Sequence, residues 1–144
     1  MKELRYRRCF GMLQRVALLV LIGVWGWTPA GAQDVSALER TQRALALGDA
    51  RALFDGAAER VEVMLLGSSM LYSRTQAMYV LGSFFREYPP RRFVLQDSSR
   101  AGGHWFAAGR YWYEQVEPPL HVYLRLQEQA AHWELREIHI ERRP

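Results

Sequence analysis

Pro89-Pro90 divides the chain into two stretches of different period, and that change restricts the fold more than any other feature. Ahead of the prolines, Ala77, Val80, Leu81, Phe84, Phe85 and Tyr88 recur at the spacing of one helical face. Ser73, with Gln76 three residues later, offers a capping box for the start of that helix. The prolines stop it, because the residue before a proline is pushed toward extended backbone.

Beyond the prolines the apolar residues alternate instead. Residues 92–98, 104–115, 120–127 and 132–141 read as strands, with Ala101-Gly102-Gly103 and Pro118-Pro119 as turns between them. Leu120, Val122, Leu124 and Leu126 share one face of the third, and His121, Tyr123, Arg125 and Gln127 the other. Trp105, Ala107, Gly109, Tyr111 and Tyr113 form the inner set of the second; Ile138 and Ile140 form that of the last. Upstream, Val35, Leu38, Gln42 and Leu45 mark a helix over 34–47 that Asp34 can cap and Gly48 can stop. Asp49 then caps a short helix over 50–54, Val61, Val63 and Leu65 alternate in a strand over 60–66, and 70–72 form a shorter one. Helices first and antiparallel strands after predict an α+β domain, with N-terminal helices in the concave face of a strongly bent antiparallel sheet.

The N-terminus carries a different signal. Lys2, Arg5, Arg7, Arg8 and Arg15 precede an apolar run from Val16 to Trp27, which is short for a bilayer span. Ala30-Gly31-Ala32 supplies small residues at −3 and −1, so residues 1–32 read as a cleavable secretory signal and 33–144 as the mature domain, periplasmic or extracellular. An uncleaved anchor is the alternative, since the basic flank would hold the N-terminus inside. Cys9 lies upstream of the apolar run, away from the junction where a lipoprotein cysteine must stand.

Removing that segment changes what the composition means. The whole chain is +4, but beyond residue 32 there are 14 Arg against 14 Asp plus Glu and no lysine. A nucleic-acid partner, which needs a basic stripe on the folded domain, loses its support. The only cysteine leaves with the signal, so the domain holds together by burial without a disulfide. About 112 residues suffice for one core and one domain, with no membrane span after cleavage.

Motifs for chemistry are sparse. His104, His121, His132 and His139 lack metal-ligand spacing, although neighbouring strands can bring His121 and His139 together; no metal or cofactor is expected. Gly67-Ser68-Ser69-Met70 is no nucleophile elbow, and Gly102-Gly103 reads as a hairpin turn rather than a phosphate loop. Asp97, beside Ser98-Ser99 ahead of the glycines, fits an Asp bonded to local backbone better than a catalytic base.

Gly48-Asp49-Ala50 followed by Leu53-Phe54 resembles the helix junction of the nuclear transport factor 2-like superfamily, whose helices pack into the mouth of a bent sheet. Tyr72-Ser73-Arg74-Thr75-Gln76-Ala77, with Phe84-Phe85 and Pro89-Pro90, is similar to a family of small exported bacterial proteins classed as a domain of unknown function. The resemblance spans nearly all of 33–142 and implies fold more than activity. Catalytic members of the superfamily, those like ketosteroid isomerase, use an Asp base and a Tyr-containing oxyanion hole deep in the cone. Here the inward positions offer phenols without a carboxylate or imidazole.

Two readings follow. One is a non-catalytic exported binding or interaction module; the other is a small cone-fold enzyme acting on an apolar small molecule. Tyr79, Trp105, Tyr111 and Tyr113 are the candidate lining of an apolar ligand pocket, with core filling as the alternative. Arg110, Trp112, His121, Tyr123, Arg125 and His139 are the candidate interface on the outer sheet face, for a homodimer or else simply an exposed strand surface. Protein recovered from an exported fraction should begin at Gln33 on N-terminal sequencing; an intact Met1 in the membrane fraction would favour the anchor.

Overall fold

The computed structural model describes residues 30–114 and 117–142, with side chains from Ser36 onward; residues 1–29 of the segment read as a secretory signal, the Val35 side chain and Gln115 lie outside the described residues. In chain order the elements are α1 (Ala30–Leu47), α2 (Ala50–Phe54), β1 (Arg60–Leu65), β2 (Ser68–Ser73), α3 (Arg74–Glu87), β3 (Pro90–Ala101), β4 (His104–Tyr113), β5 (Leu120–Gln129) and β6 (His132–Glu141). No helix among the described residues is long and apolar enough to cross a membrane.

Local chemistry accounts for most of the boundaries. Asp49 caps α2, its carboxylate accepting from the Ala52 N–H at 2.9 Å. At α3 the capping box is complete: Ser73 Oγ accepts from the Gln76 N–H, and Gln76 Oε1 accepts from the Ser73 N–H at 3.1 Å. α1 departs from the sequence reading, beginning at Ala30 so that Asp34 lies inside it rather than capping it. Nothing in Ala30-Gly31-Ala32-Gln33 stops a helix from extending back that far. It ends at Gly48, whose φ of +67° suits glycine. A Cβ there would stand 3.0 Å from the Pro90 ring and 3.4 Å from Phe85, so this turn sits tightly on the junction of α3 and β3.

The six strands form one sheet in the order β2-β1-β6-β5-β4-β3. Every pairing is antiparallel except β1 with β6, which is parallel. The β1–β2 hairpin thus attaches to the far end of the chain, giving the sheet two strands that precede the helix α3. Register shifts reset the alternation at three places, one of them between Pro90 and Arg92. The β5–β6 register shifts between Arg125 and Leu126, which lets Leu135 and Ile138, three residues apart, both face inward. A second shift between Leu95 and Asp97 puts Asp97 opposite Ala108, among the outward positions.

The core lies between the inner sheet face and the helices. Leu38, Leu45, Leu53, Phe54, Leu81, Phe84 and Phe85 meet Val61, Val63, Trp105, Tyr111, Leu124, Ile138 and Ile140. Gly109 is inward too, and a Cβ on it would stand 2.6 Å from the Phe93 ring and 2.7 Å from the Val94 carbonyl. Gly109→Ala should therefore cost about 1–3 kcal/mol through overpacking, read from the shift of the urea midpoint. Phe84 is buried among Phe85, Tyr88 and Tyr111, with ring centroids 6.0, 4.8 and 6.0 Å away. Its replacement by Ala should cost about 3–5 kcal/mol; a loss below about 1 kcal/mol would contradict its core position.

Candidate functional site

Three of the four residues put forward as pocket lining sit in the core. Trp105, Tyr111 and Tyr113 are all buried, and Tyr111 is fully enclosed. The Tyr111 hydroxyl donates to the Tyr88 carbonyl at 2.6 Å, and burial raises its pKa, so it stays a neutral phenol at physiological pH. Tyr113 meets Tyr88 edge-on at 5.1 Å, and Trp105 meets Trp133 in the same way at 5.5 Å. These rings fill the interior where a pocket was an alternative. Tyr79 is a correction: at 68 % exposure it stands outside, because α3 buries Ala77, Leu81, Phe84 and Phe85 and so turns Tyr79 to the opposite side.

A concavity lies elsewhere, between α1, α2 and the β5–β6 hairpin. It holds about 280 Å³ and is lined in part by Arg40, Thr41, Arg43, Leu53, Leu126 and Trp133. Periodicity alone does not reveal it, since its wall comes from three elements that meet only on folding. Thr41, the one polar or charged residue buried among those described, donates to its own helix at Ala37 O (3.0 Å) and is thereby satisfied. Asp97 lies in β3, within the stretch read as a strand, but exposed and outside the core. The β3 irregularity beside it, invisible to simple alternation, is the reason.

The outer sheet face does gather the candidate interface residues. Arg110 pairs with His121, Tyr123 with His139, and Arg125 with Glu137 across adjacent strands, while Trp112 lies at the end of the face beside Arg92. All six are partly buried, between the core and fully exposed positions. Phe106, Tyr123 and His139 form a row of rings with centroids 6.4 and 5.5 Å apart. The Arg92 guanidinium lies 4.6 Å over the Trp112 ring, and Trp112 Nε1 donates to Glu117 at 3.2 Å. Arg125 Nε donates to Glu137 Oε2 at 2.7 Å. Burial raises the Tyr123 pKa; Glu137 adds to the rise and Arg125 opposes it. Phe106 and Glu137 belong to this face as much as the six residues read from sequence, and the β4 and β6 alternation contains the signal for both.

No curated protein matches this chain in sequence. Among solved structures, a DUF4783 family protein from Bacteroides ovatus superposes with a TM-score of 0.67 at 15 % identity, covering 73 % of this chain and 94 % of its own. One from Bacteroides uniformis gives 0.68 at 14 %, covering 74 % and 96 %. A nuclear transport factor 2-like protein of unknown function from Shewanella oneidensis gives 0.55 at 15 %, covering 78 % and 98 %. The fold is therefore the nuclear transport factor 2-like α+β fold that the helix junction and the sheet pattern foretold. Residues 38–141 match the domain of unknown function DUF4783, and the chain belongs to that family.

Proposed function

We propose that this chain is an exported, non-catalytic interaction module whose working surface is the outer sheet face, paired with the same face of a second copy. The observation that carries this reading is the filled interior. Thr41 is the sole polar or charged residue buried among those described, and the inward rings of Trp105, Tyr111 and Tyr113 pack on one another and on the helices. A proton-transfer site in the cone would need a carboxylate or imidazole where these rings stand. Recognition then falls to the outside.

Charge favours a second copy as the occupant. The β3–β5 half of the outer face carries Arg92, Arg110 and Arg125 along with Asp97, while the β1–β6 half carries Glu62, Glu137 and Glu141 along with Arg60. A two-fold axis near the Tyr123–His139 row would lay each basic half on the acidic half of the other copy, as a self-complementary interface requires. The ring row crosses both halves from β4 to β6, and with Trp112 at the end of the face it gives the aromatic and arginine content enriched in interface centres.

Trp112→Glu adds a carboxylate to the basic half, where it would meet the partner's acidic half. The wild-type mature domain should sediment as a dimer and Trp112→Glu as a folded monomer, with far-UV circular dichroism checking the fold. A wild type that stays monomeric at concentrations of about 1 mM, where even weak pairs associate, would overturn the interface.

A further inference from the structure

We propose that Glu62, Glu137 and His139, on the adjacent strands β1 and β6, form a binding site for a divalent first-row transition ion, Zn²⁺ above all. Their ligand atoms lie within 4.8 Å of one another, each residue partly buried. His139 Nε2 is 2.8 Å from Glu137 Oε1 and 3.9 Å from Glu62 Oε1. Two ligands each about 2.1 Å from a tetrahedral ion are separated by roughly 3.3 Å, between those two distances, so small side-chain shifts would seat the metal.

A second observation points to a cation rather than an ordinary polar contact. His139 Nε2 is shielded from solvent and has no hydrogen-bond partner, although the Glu137 oxygen stands so close; the approach lies outside hydrogen-bond geometry. A buried nitrogen of this kind is costly unless something occupies its lone pair. Both carboxylates are also held by neighbouring donors. Arg125 Nε donates to Glu137 Oε2 and leaves Oε1 toward His139, while Ser69 Oγ donates at 2.9 Å to Glu62 Oε1, the oxygen nearer His139. One imidazole and two carboxylates suit zinc and its neighbours better than Mg²⁺ or Ca²⁺, which prefer all-oxygen sites. Three ligands from the chain leave a position open to water or another donor.

The site uses one chain only and goes beyond the pairing role of the same face. Isothermal titration of Zn²⁺ into untagged mature domain should give one equivalent bound per chain, in the wild type and in monomeric Trp112→Glu alike. His139→Ala should abolish that binding, and Ser69→Ala should weaken it about 10- to 100-fold. In the wild type, where folding of a variant is not in question, Zn²⁺ should shift the His139 Nε2 resonance selectively among the histidines in nitrogen-15 spectra. A wild-type Kd weaker than about 1 mM, or a shift at other histidines with His139 unmoved, would overturn the site. A wild type that binds zinc yet stays monomeric would overturn only the pairing role.

Discussion

Everything in this fold leans on the contact between the C-terminal turn of α3 and the C-terminal end of β4. Phe84 and Phe85 both pack against the Tyr111 ring, at 6.0 and 6.2 Å, and the Tyr111 hydroxyl reaches the carbonyl of Tyr88 at the helix end. A buried phenol needs a partner, and a helix C-terminus has carbonyls to spare; one bond meets both needs. The α1 terminus is fixed to the same place, with Gly48 against Phe85 and Pro90. Helix, sheet and turn are thus registered at one point, and the remaining strands extend from it.

That packing also shapes what the domain can do. A cone of this kind can hold a ligand only where its inward side chains leave room, and here large rings occupy that space. The free concavity is displaced to the rim, between α1, α2 and the β5–β6 hairpin, where Trp133 packs on Trp105 and Arg100 covers both rings at 5.4 and 4.0 Å. On the outer face arginines predominate on one half and carboxylates on the other, with His139 at the seam. The proposed pairing would draw on that charge distribution, and the proposed metal site on three donors at its acidic side.

The two sheet edges are treated differently. β3 carries Pro90, several arginines and two register shifts, all of which discourage addition of another strand. β2 has neither a charge nor a proline, and Met70 and Leu71 are exposed on it. Its protection comes from shortness alone, six residues against twelve in β3.

By itself, the sequence determined the elements and the face each strand presents. Cap residues such as Asp49 and Ser73, the helical spacing from Ala77 to Phe85 and the alternation of Leu120 to Leu126 are local signals, and each acts through backbone geometry within a few residues. The six outer-face residues followed from that alternation alone. Tertiary structure decided what depends on contacts between distant segments: the parallel seating of β1 on β6, which brings Glu62 to Glu137 and His139, and the register shifts that turn Asp97 outward and Leu135 inward. It also decided that the inward rings fill the cone instead of lining it, and that Tyr79 faces away. Periodicity assigns a residue to a face, but the space left beside that face is set by side chains that arrive from elsewhere in the chain.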